Sequence, residues 1–492
     1  MQHTPPDDDR ETKSYVPPKP VAPPRRFSFL GLLFKTGRSS LGVISDRMYA
    51  HSMGEFRLPG RKLFLASHPA VVNRVLVTES ARFPKSELMR SMLSPLVGDG
   101  IFVSNGERWT KQRRMIDPAF EQARIQDVFP LMRDATEAML ARLDAHADGD
   151  ILAVDEETTH VTADIIFRTI FSRELSRDEA ARIFDAFARF QELIYRSGIW
   201  VLAGVPKFLL PGWMFAARHA RTIRTLLERD VERRMDERAA GDGSAHKDIL
   251  ASLLDAVDPV TGERFSRREL VDQIAVMFLA GHETSASSLA WALYLIAMRP
   301  DVQARLHAEA AGVFAGRNPE FADMRRLKLA RDVFRETLRL YPPVPLISRD
   351  ALEQTQLRDK LVPEGSLVFL SPWVIHRHRK IWHRPDVFDP DRFADAATKE
   401  SLRSGYIPFS TGPRVCLGAS FAMQEATLIL AYLALHYRFE PVAAHTPVPA
   451  TRLSLRSKNG IRLRVFRRDQ AQRDATPMQT SVAQARARCP FS

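Results

Sequence analysis

Apolar residues recur at three- and four-residue spacing through most of the chain between residues 69 and 340. That spacing places them on one face of a helix, and segments 133–146 and 178–195 show it most clearly. Beyond Pro342 the pattern changes to prolines and short β-branched runs, as in 361–374. The chain is therefore predicted to be mainly α with a minor β part.

Two hairpins are predicted where turn residues separate short apolar runs. A Pro-Gly pair at 59–60 lies between the runs 56–58 and 62–65. An Asn-Gly pair at 459–460 lies inside the segment 453–466 and predicts a closing hairpin near the C-terminus.

The composition along the chain indicates one large domain between two tails. A length of 492 residues is long for a single domain, but no internal segment has the composition of a linker. The first 26 residues are polar and proline-rich, and the last 25 or so are polar. We therefore expect a flexible proline-rich tail over 1–35, a single domain over 36–466 and a flexible polar tail over 467–492.

The chain is basic, with 71 Lys and Arg against 59 Asp and Glu and a net charge of +12. Such a balance can favour binding to nucleic acid, to anionic lipid or to an acidic protein partner. No zinc-finger spacing, RNA-binding aromatic motif or block of Lys and Arg is present, so nucleic acid is not an expected partner. The charge is interpreted as a generic surface feature that would also help an acidic electron donor to dock.

Cysteine usage and hydropathy bear on the compartment. Two cysteines, Cys416 and Cys489, exclude a disulfide scaffold and indicate a reducing environment. The chain starts without a visible targeting signal. The apolar stretch 27–34 is too short to span a bilayer, and 274–298 carries a His-Glu pair at its centre, which favours a buried core helix. We expect a cytoplasmic protein without a transmembrane anchor, whose membrane contact, if any, is weak and peripheral.

The segment PFSTGPRVCLG, which ends at Gly418, carries the strongest chemical signal. Iron binds a cysteine as the thiolate, whereas a free thiol is mostly protonated at neutral pH. Cys416 precedes a helical pattern over 417–435, so its sulfur is expected at a helix N-terminus. There, unpaired backbone N–H groups and the helix dipole stabilise negative charge. The segment therefore predicts an iron-binding thiolate, a ligand that favours O–O bond cleavage.

The neighbours of Cys416 suit a flat, acidic cofactor. Gly418 would let the backbone pass close to its face, Arg414 would supply a cation for its acidic edge, and Phe409 would shield the sulfur from water. With Gly412, these residues resemble the haem-binding loop FxxGxRxCxG of the cytochrome P-450 family without a gap. The resemblance implies a single large haem-binding domain of the cytochrome P-450 fold, with heme b (iron protoporphyrin IX) bound through Cys416.

Two further patterns resemble the propionate-binding residues of the family. Trp109 and Arg113 form a WxxxR motif, whose tryptophan and arginine bind a haem propionate in the family. Arg349, ten residues beyond Arg339, resembles another propionate arginine. The resemblance therefore implies that Trp109, Arg113 and Arg349 help to hold the cofactor.

Glu336 and Arg339 form an ExxR pair, which places both side chains on one helix face. This pattern is unspecific by itself, and its position about eighty residues before Cys416 singles it out. Arg392, in the sequence FDPDRF, resembles the family's second arginine, which joins the pair in a buried network. Its implied role is structural. A surface ion pair is the interpretation at the other ExxR positions, which are Glu79/Arg82, Glu121/Arg124, Glu174/Arg177 and Glu400/Arg403.

The catalytic signal lies within the long apolar helix, at the sequence AGHETS that begins with Ala280. Gly281 would remove a side chain where a ligand lies against the backbone, Thr284 can hydrogen-bond dioxygen, and Glu283 can relay protons from water. The Glu-Thr pair matches the acid–alcohol pair of the family. We therefore expect Glu283 and Thr284 to be catalytic and Ala280 and Gly281 to contact the cofactor.

The resemblance implies an iron-dependent oxidoreductase, a monooxygenase that inserts one atom of dioxygen into a hydrophobic small molecule such as a lipid or terpenoid. Electrons would come from a separate ferredoxin or flavodoxin with its reductase, because no flavin or nicotinamide motif is present. Substrate walls are expected from five apolar segments: 83–103, 194–215, the helix face around Ala280, 344–347 and 453–455.

Two alternatives stay open at the level of sequence. One is a haem-thiolate isomerase or peroxygenase, although such relatives typically lack the acid–alcohol pair. The other is a non-catalytic haem-binding carrier or sensor, against which Glu283 and Thr284 weigh. Sequence does not identify the substrate or the site of oxidation.

Overall fold

The structure is a computed structural model that describes residues 14–20, 39–58, 61–202, 204–241 and 246–468. The Pro-Gly turn at 59–60, the apolar stretch 27–34 and Cys489 lie outside the described residues. So does most of the two predicted tails.

Helices dominate the described chain, as the apolar spacing predicts. In chain order they are α1 Pro69–Asn73, α2 Glu87–Val97, α3 Gly106–Ile116, α4 Gln122–Asp144, α5 Val154–Phe171, α6 Arg177–Leu202, α7 Pro211–Ala239, α8 Ile249–Asp255, α9 Arg267–Ala297, α10 Pro300–Phe314, α11 Lys328–Leu340, α12 Pro372–Ile375, α13 Lys399–Gly405 and α14 Ala419–His436. The predicted helical segments 133–146 and 178–195 fall largely within α4 and within α6.

The long helix α9 forms the centre of the domain. It begins with a capping box in which the Ser266 hydroxyl accepts from the Glu269 N–H and the Glu269 carboxylate accepts from the Ser266 N–H. From Leu270 to Ala297 nearly every side chain is buried, which is typical of a helix packed on all sides. This confirms the prediction of a buried core helix. Among the described helices we find none with the length and hydropathy needed to cross a membrane.

The strands form four small sheets. They are β1 Met53–Leu58, β2 Arg61–Ala66, β3 Asp148–Ala153, β4 Ile347–Asp350, β5 Thr355–Leu357, β6 Lys360–Val362, β7 Leu367–Leu370, β8 Tyr437–Pro441, β9 Pro449–Thr451, β10 Leu455–Ser457 and β11 Arg462–Arg467. The sheet orders are β1-β2-β7-β4, β3-β11-β8, β10-β9 and β5-β6. β1 and β2 pair antiparallel with Leu58 opposite Arg61, which confirms the predicted N-terminal hairpin.

The predicted C-terminal hairpin around 459–460 is wrong. β10 pairs with β9, whereas β11 lies between β3 and β8 in another sheet. The Asn459 side chain accepts from the Val448 N–H and donates to the Thr446 carbonyl, so the turn is fixed to the preceding loop. The Asn-Gly pair does form a turn, with Gly460 at φ 74°. The strands on its two sides, β10 and β11, do not pair with each other, because each pairs with other strands.

Residues 14–20, which the sequence assigns to the flexible N-terminal tail, lie against the domain. The Tyr15 carbonyl accepts from the Phe388 N–H at 3.0 Å. The Tyr15 hydroxyl donates to the Tyr294 hydroxyl of α9 at 3.0 Å. The Tyr341 hydroxyl donates to the Pro18 carbonyl at 2.7 Å. This part of the predicted tail is therefore bound, because an aromatic residue and backbone carbonyls in the proline-rich stretch find partners that local composition does not reveal.

Candidate active site

The cysteine loop is shaped by backbone conformations that only particular residues adopt. Gly412 has φ 75°, and a Cβ built on it would lie 2.2 Å from the carbonyl oxygen of Leu76. Both observations require glycine at this position. The loop closes when the Cys416 N–H donates to the Phe409 carbonyl at 3.0 Å. Helix α14 begins at Ala419 with Gly418 as its N-cap, two residues later than predicted, and Cys416 therefore lies two residues before the cap.

The Cys416 thiol is accessible, yet protein atoms surround it closely. Burial raises its pKa, while the backbone N–H of Gly418 and the charge of Arg113 lower it. The N–H group and the cation are the stabilising contacts expected of a thiolate at a helix N-terminus. They do not outweigh burial by themselves, and a bound metal cation would favour the deprotonated sulfur.

Four basic side chains gather beside this loop near Trp109 and form what we call the cation cradle: Lys85, Arg113, Arg349 and Arg414. The Lys85 Nζ lies 5.7 Å and the Arg414 guanidinium 5.2 Å from the centre of that ring. Arg349 is buried beside them, and Arg113 donates to the Val415 carbonyl at 2.9 Å. The loop and the WxxxR helix α3 are thus brought together as the resemblance implies.

The cluster has a deficit of negative charge. Lys85, Arg349 and Arg414 contact no carboxylate within the described chain, and Arg113 alone pairs with an acid, the exposed Asp117. Burial and the neighbouring arginines lower the pKa of Lys85 to about 6, and burial lowers that of Arg349 to about 10. The Lys85 amine is therefore largely neutral at neutral pH, and an anion placed beside it would restore its charge.

The orphaned donors of this cluster test whether a haem fits. The Nε atoms of Arg349 and Arg414 are buried without a hydrogen-bond partner. Unpaired buried donors and uncompensated cations are costly. Two propionate carboxylates would supply both the acceptors and the charge, so these residues fit a haem. Lys85 was missed by sequence reasoning, since no short-range pattern connects it to the cysteine loop.

A strip of accessible residues interrupts the buried surface of α9. Between Leu270 and Ala297 only Leu279, Ala280, Gly281 and Thr284 are partly accessible. Positions 280, 281 and 284 share one helix face. The Thr284 Oγ1 donates to the Ala280 carbonyl at 2.7 Å, which fixes the hydroxyl on this strip.

Gly281 lies where α9 packs closely against α5. A Cβ at this position would lie 2.8 Å from the side chain of Ile166 on α5. The Thr162 Oγ1 also donates to the His282 carbonyl at 3.0 Å, so α5 and α9 are in close contact here. The missing side chain therefore permits close helix packing, and the expected contact of the accessible Gly281 backbone with a cofactor stays a prediction.

Glu283 points away from the accessible strip into a buried ion pair. Its carboxylate accepts from the Arg456 Nε at 2.7 Å, from the Gln191 Nε2 at 2.7 Å and from the Ser454 hydroxyl. Burial favours the neutral acid, but Arg456 and its hydrogen bond dominate and lower the pKa of Glu283 to about 2. Glu283 is therefore ionised at neutral pH. Its three partners were missed by sequence reasoning, because they lie 92 to 173 residues away along the chain.

The structure brings Glu336, Arg339 and Arg392 together in one buried network. Both carboxyl oxygens of Glu336 accept from Arg339 at 2.7 Å, and the Arg392 Nε lies 3.4 Å from one of them. Arg339 and Arg392 also donate to the backbone carbonyls of His376, Pro385, Val387, His383 and Arg384. In contrast, the ExxR pair Glu400/Arg403 is exposed and 3.9 Å apart.

One predicted substrate wall is partly wrong. Within 194–215, five large apolar side chains are more than half exposed on the surface: Trp200, Phe208, Leu209, Met214 and Phe215. Apolar composition predicted burial, but these residues lie around the connection between α6 and α7, where the outer surfaces lack a protein cover.

The helical fold, the thiol preceding a helix N-terminus, the cation cradle and the hydroxyl on the central helix together define a haem-thiolate protein. The family model for cytochrome P450 matches residues 21–464. The chain belongs to the cytochrome P450 family and is a monooxygenase of that family.

Similar proteins include two from Streptomyces melanosporofaciens. Cyclooctatin synthase is 35% identical over 82% of this chain and 86% of its own length. Cyclooctat-9-en-7-ol 5-monooxygenase is 30% identical over 89% of this chain and 95% of its own length. The crystal structure of the cytochrome P450DA heme domain superimposes with a TM-score of 0.80 at 25% identity, covering 93% of this chain and 99% of that one.

Proposed function

We propose that this monooxygenase binds heme b and oxidises a largely hydrocarbon molecule, with a terpenoid as the favoured class. The observation that carries the proposal is the juxtaposition of Cys416 with a cradle of cations that lacks its anions. The substrate class is supported by the relative named for oxidising cyclooctat-9-en-7-ol and by the apolar residues around the accessible strip of α9. Electrons come from a separate ferredoxin or flavodoxin with its reductase.

The chain's own residues divide the work of holding the cofactor. The Cys416 sulfur would bind the iron, and Phe409 and Gly418 would lie beside it in the loop. Lys85 and Trp109, with Arg113, Arg349 and Arg414, would hold the propionates. When bound, the haem supplies an iron that activates dioxygen, so that one oxygen atom enters the substrate and the other leaves as water.

Thr284 and Glu283 would control protons at the accessible strip. The Thr284 hydroxyl is held by the Ala280 carbonyl, and its oxygen stays free to accept a hydrogen bond. Glu283 carries no proton at neutral pH and is bound to Arg456. It would therefore act as a proton relay only after releasing Arg456, which makes that ion pair part of the proton pathway.

Replacing Thr284 with Ala tests the proposed oxidation. We expect haem content to stay unchanged, while a larger share of the supplied electrons yields hydrogen peroxide instead of oxidised product. The hydroxyl is the polar side chain on the accessible strip, so its loss leaves proton delivery to bulk water. Product and peroxide are measured per electron consumed with an apolar substrate.

The matched control is Thr169→Ala on α5, which removes an equivalent hydroxyl bonded to the carbonyl four residues earlier. Equal coupling in wild type and Thr284→Ala would contradict the role of Thr284. Efficient product formation from peroxide without an electron donor would instead identify a peroxygenase.

A cytoplasmic location with peripheral membrane contact fits the exposed apolar residues between α6 and α7. Phe208, at 74% exposure, follows the exposed Lys207 in the chain, and Arg218 of α7 is exposed as well. An apolar tip with basic neighbours is typical of surfaces that insert into the headgroup region of anionic bilayers. Co-sedimentation with vesicles that contain phosphatidylglycerol is expected, and Phe208→Asp should weaken it. Val260→Asp, at another exposed apolar site, is the control, and equal effects of the two changes would contradict this contact.

A further inference from the structure

A second buried acid lies behind the accessible strip, on the helix that follows the cysteine loop. Glu425 of α14 is 1% exposed, and neither of its carboxyl oxygens has a hydrogen-bond partner of ordinary geometry within the described chain. Buried polar atoms without partners are uncommon in folded proteins and call for a physical explanation. The function described above assigns no role to this residue.

The charge state of Glu425 is opposite to that of Glu283. Burial raises the pKa of Glu425 to about 8, and the Ser285 hydroxyl is the group that lowers it. The carboxyl group therefore keeps its proton at neutral pH and can donate a hydrogen bond. Glu283, by contrast, is ionised by Arg456. Two acids whose environments separate their pKa values in this way are suited to different tasks.

No cation compensates Glu425 among the described residues. The helices packed against α14 present Glu137, which binds the Tyr432 hydroxyl, and His307, which binds the Ala434 carbonyl. Both contacts lie at least seven residues beyond Glu425 on α14. Glu336 on α11 is neutralised by Arg339, and Asp332 on the same helix pairs with Arg331 and Arg335. A negative charge formed on Glu425 would therefore have no partner.

The position of Ser285 connects this acid to the active site. Ser285 is 3% exposed and follows Thr284 directly on α9. Glu425 lies nine residues after Cys416, within the helix that begins just beyond the cysteine. Ser285 is the polar neighbour of Glu425 on α9. The acid therefore lies where the helix that follows Cys416 packs against the helix that carries Thr284.

We infer that Glu425 is a positioning residue, an uncharged carboxylic acid buried where α14 packs against α9 beside Ser285, and that it so fixes Thr284 relative to Cys416. Above the pH at which it ionises, the unpaired charge must draw in water or shift α14. The contact thereby sets an alkaline limit to the active-site geometry. The consequence for coupling rests on the proposed function, whereas the protonation state is a property of the folded holoprotein and is measured separately.

The holoprotein is examined by infrared difference spectroscopy and by a pH titration of its visible spectrum. Wild type is expected to show the carbonyl band of a buried protonated carboxylic acid, which is lost in Glu425→Gln. The haem spectrum is expected to change with a midpoint near pH 8 in wild type. Glu425→Gln, which keeps a neutral hydrogen-bond donor, should retain the neutral-pH spectrum and lose this midpoint.

Glu309→Gln is the matched control, because Glu309 is another acid whose pKa is raised by burial, on α10, and binds the backbone of Leu329 and Ala330 instead of α9. It should leave the midpoint near pH 8 in place. Ser285→Ala should raise that midpoint, since it removes the group that lowers the pKa of Glu425. Glu425→Leu should lower product coupling even at neutral pH.

An unchanged carbonyl band or an unchanged midpoint in Glu425→Gln would overturn the inference, whatever the activity of the enzyme. A normal midpoint together with an absence of oxidised product would count against the proposed function alone.

Discussion

Replacing Cys416 with Ser is expected to abolish the far-shifted absorption peak that reduced, thiolate-ligated haem gives with carbon monoxide, and to reduce substrate oxidation to background. A serine hydroxyl is far less acidic than a thiol, so it would not provide the strongly donating anion that a haem iron would receive from Cys416. The backbone N–H and Arg113 contacts that favour a negative sulfur would then have no anion to stabilise. The measurement is the difference spectrum of the reduced protein with and without carbon monoxide.

Cys489→Ser is the control for this experiment, because it removes the other cysteine of the chain. It should leave both the peak and the activity unchanged. The same peak in Cys416→Ser as in wild type would show that another residue binds the iron.

Glu336→Leu is expected to destabilise the fold by about 3–5 kcal/mol, because it removes the carboxylate from a buried ion-pair network. Arg339 and Arg392 would remain buried, with backbone carbonyls as their partners but without a compensating charge. The segment 376–387, whose backbone these arginines bind, lies between α12 and the cysteine loop, so haem content should fall together with stability. Urea unfolding and the haem-to-protein ratio after purification measure the two effects.

Glu400→Leu tests the same ExxR pattern where both side chains are exposed. Exposed ion pairs contribute little to stability, so this variant should unfold like wild type. If the two substitutions shifted unfolding equally, the special role of the buried network would be refuted. If Glu336→Leu unfolded normally but lost haem, the network would act on the loop and not on the fold.

The sequence by itself determined the features that depend on local physics. Apolar spacing predicted the helices, and the Pro-Gly turn predicted the hairpin of β1 and β2. The contiguous loop around Cys416 predicted the metal ligand, and its conformational requirements, such as the positive φ of Gly412, are local. Helical geometry likewise placed Ala280 and Thr284 on one face before any tertiary contact was known.

Tertiary structure decided the charge states and the partners. Glu283 and Glu425 are both acids in apolar helices. Glu283 is ionised because it packs against Arg456, whereas Glu425 is neutral because it is buried among uncharged neighbours. Lys85 joins the cation cradle from a distant segment, and β11 inserts between two strands instead of folding back on β10. These outcomes depend on desolvation and on contacts between residues far apart in the chain. Local pattern does not encode them, because the energy of a charge or a strand edge is set by what the whole fold places beside it.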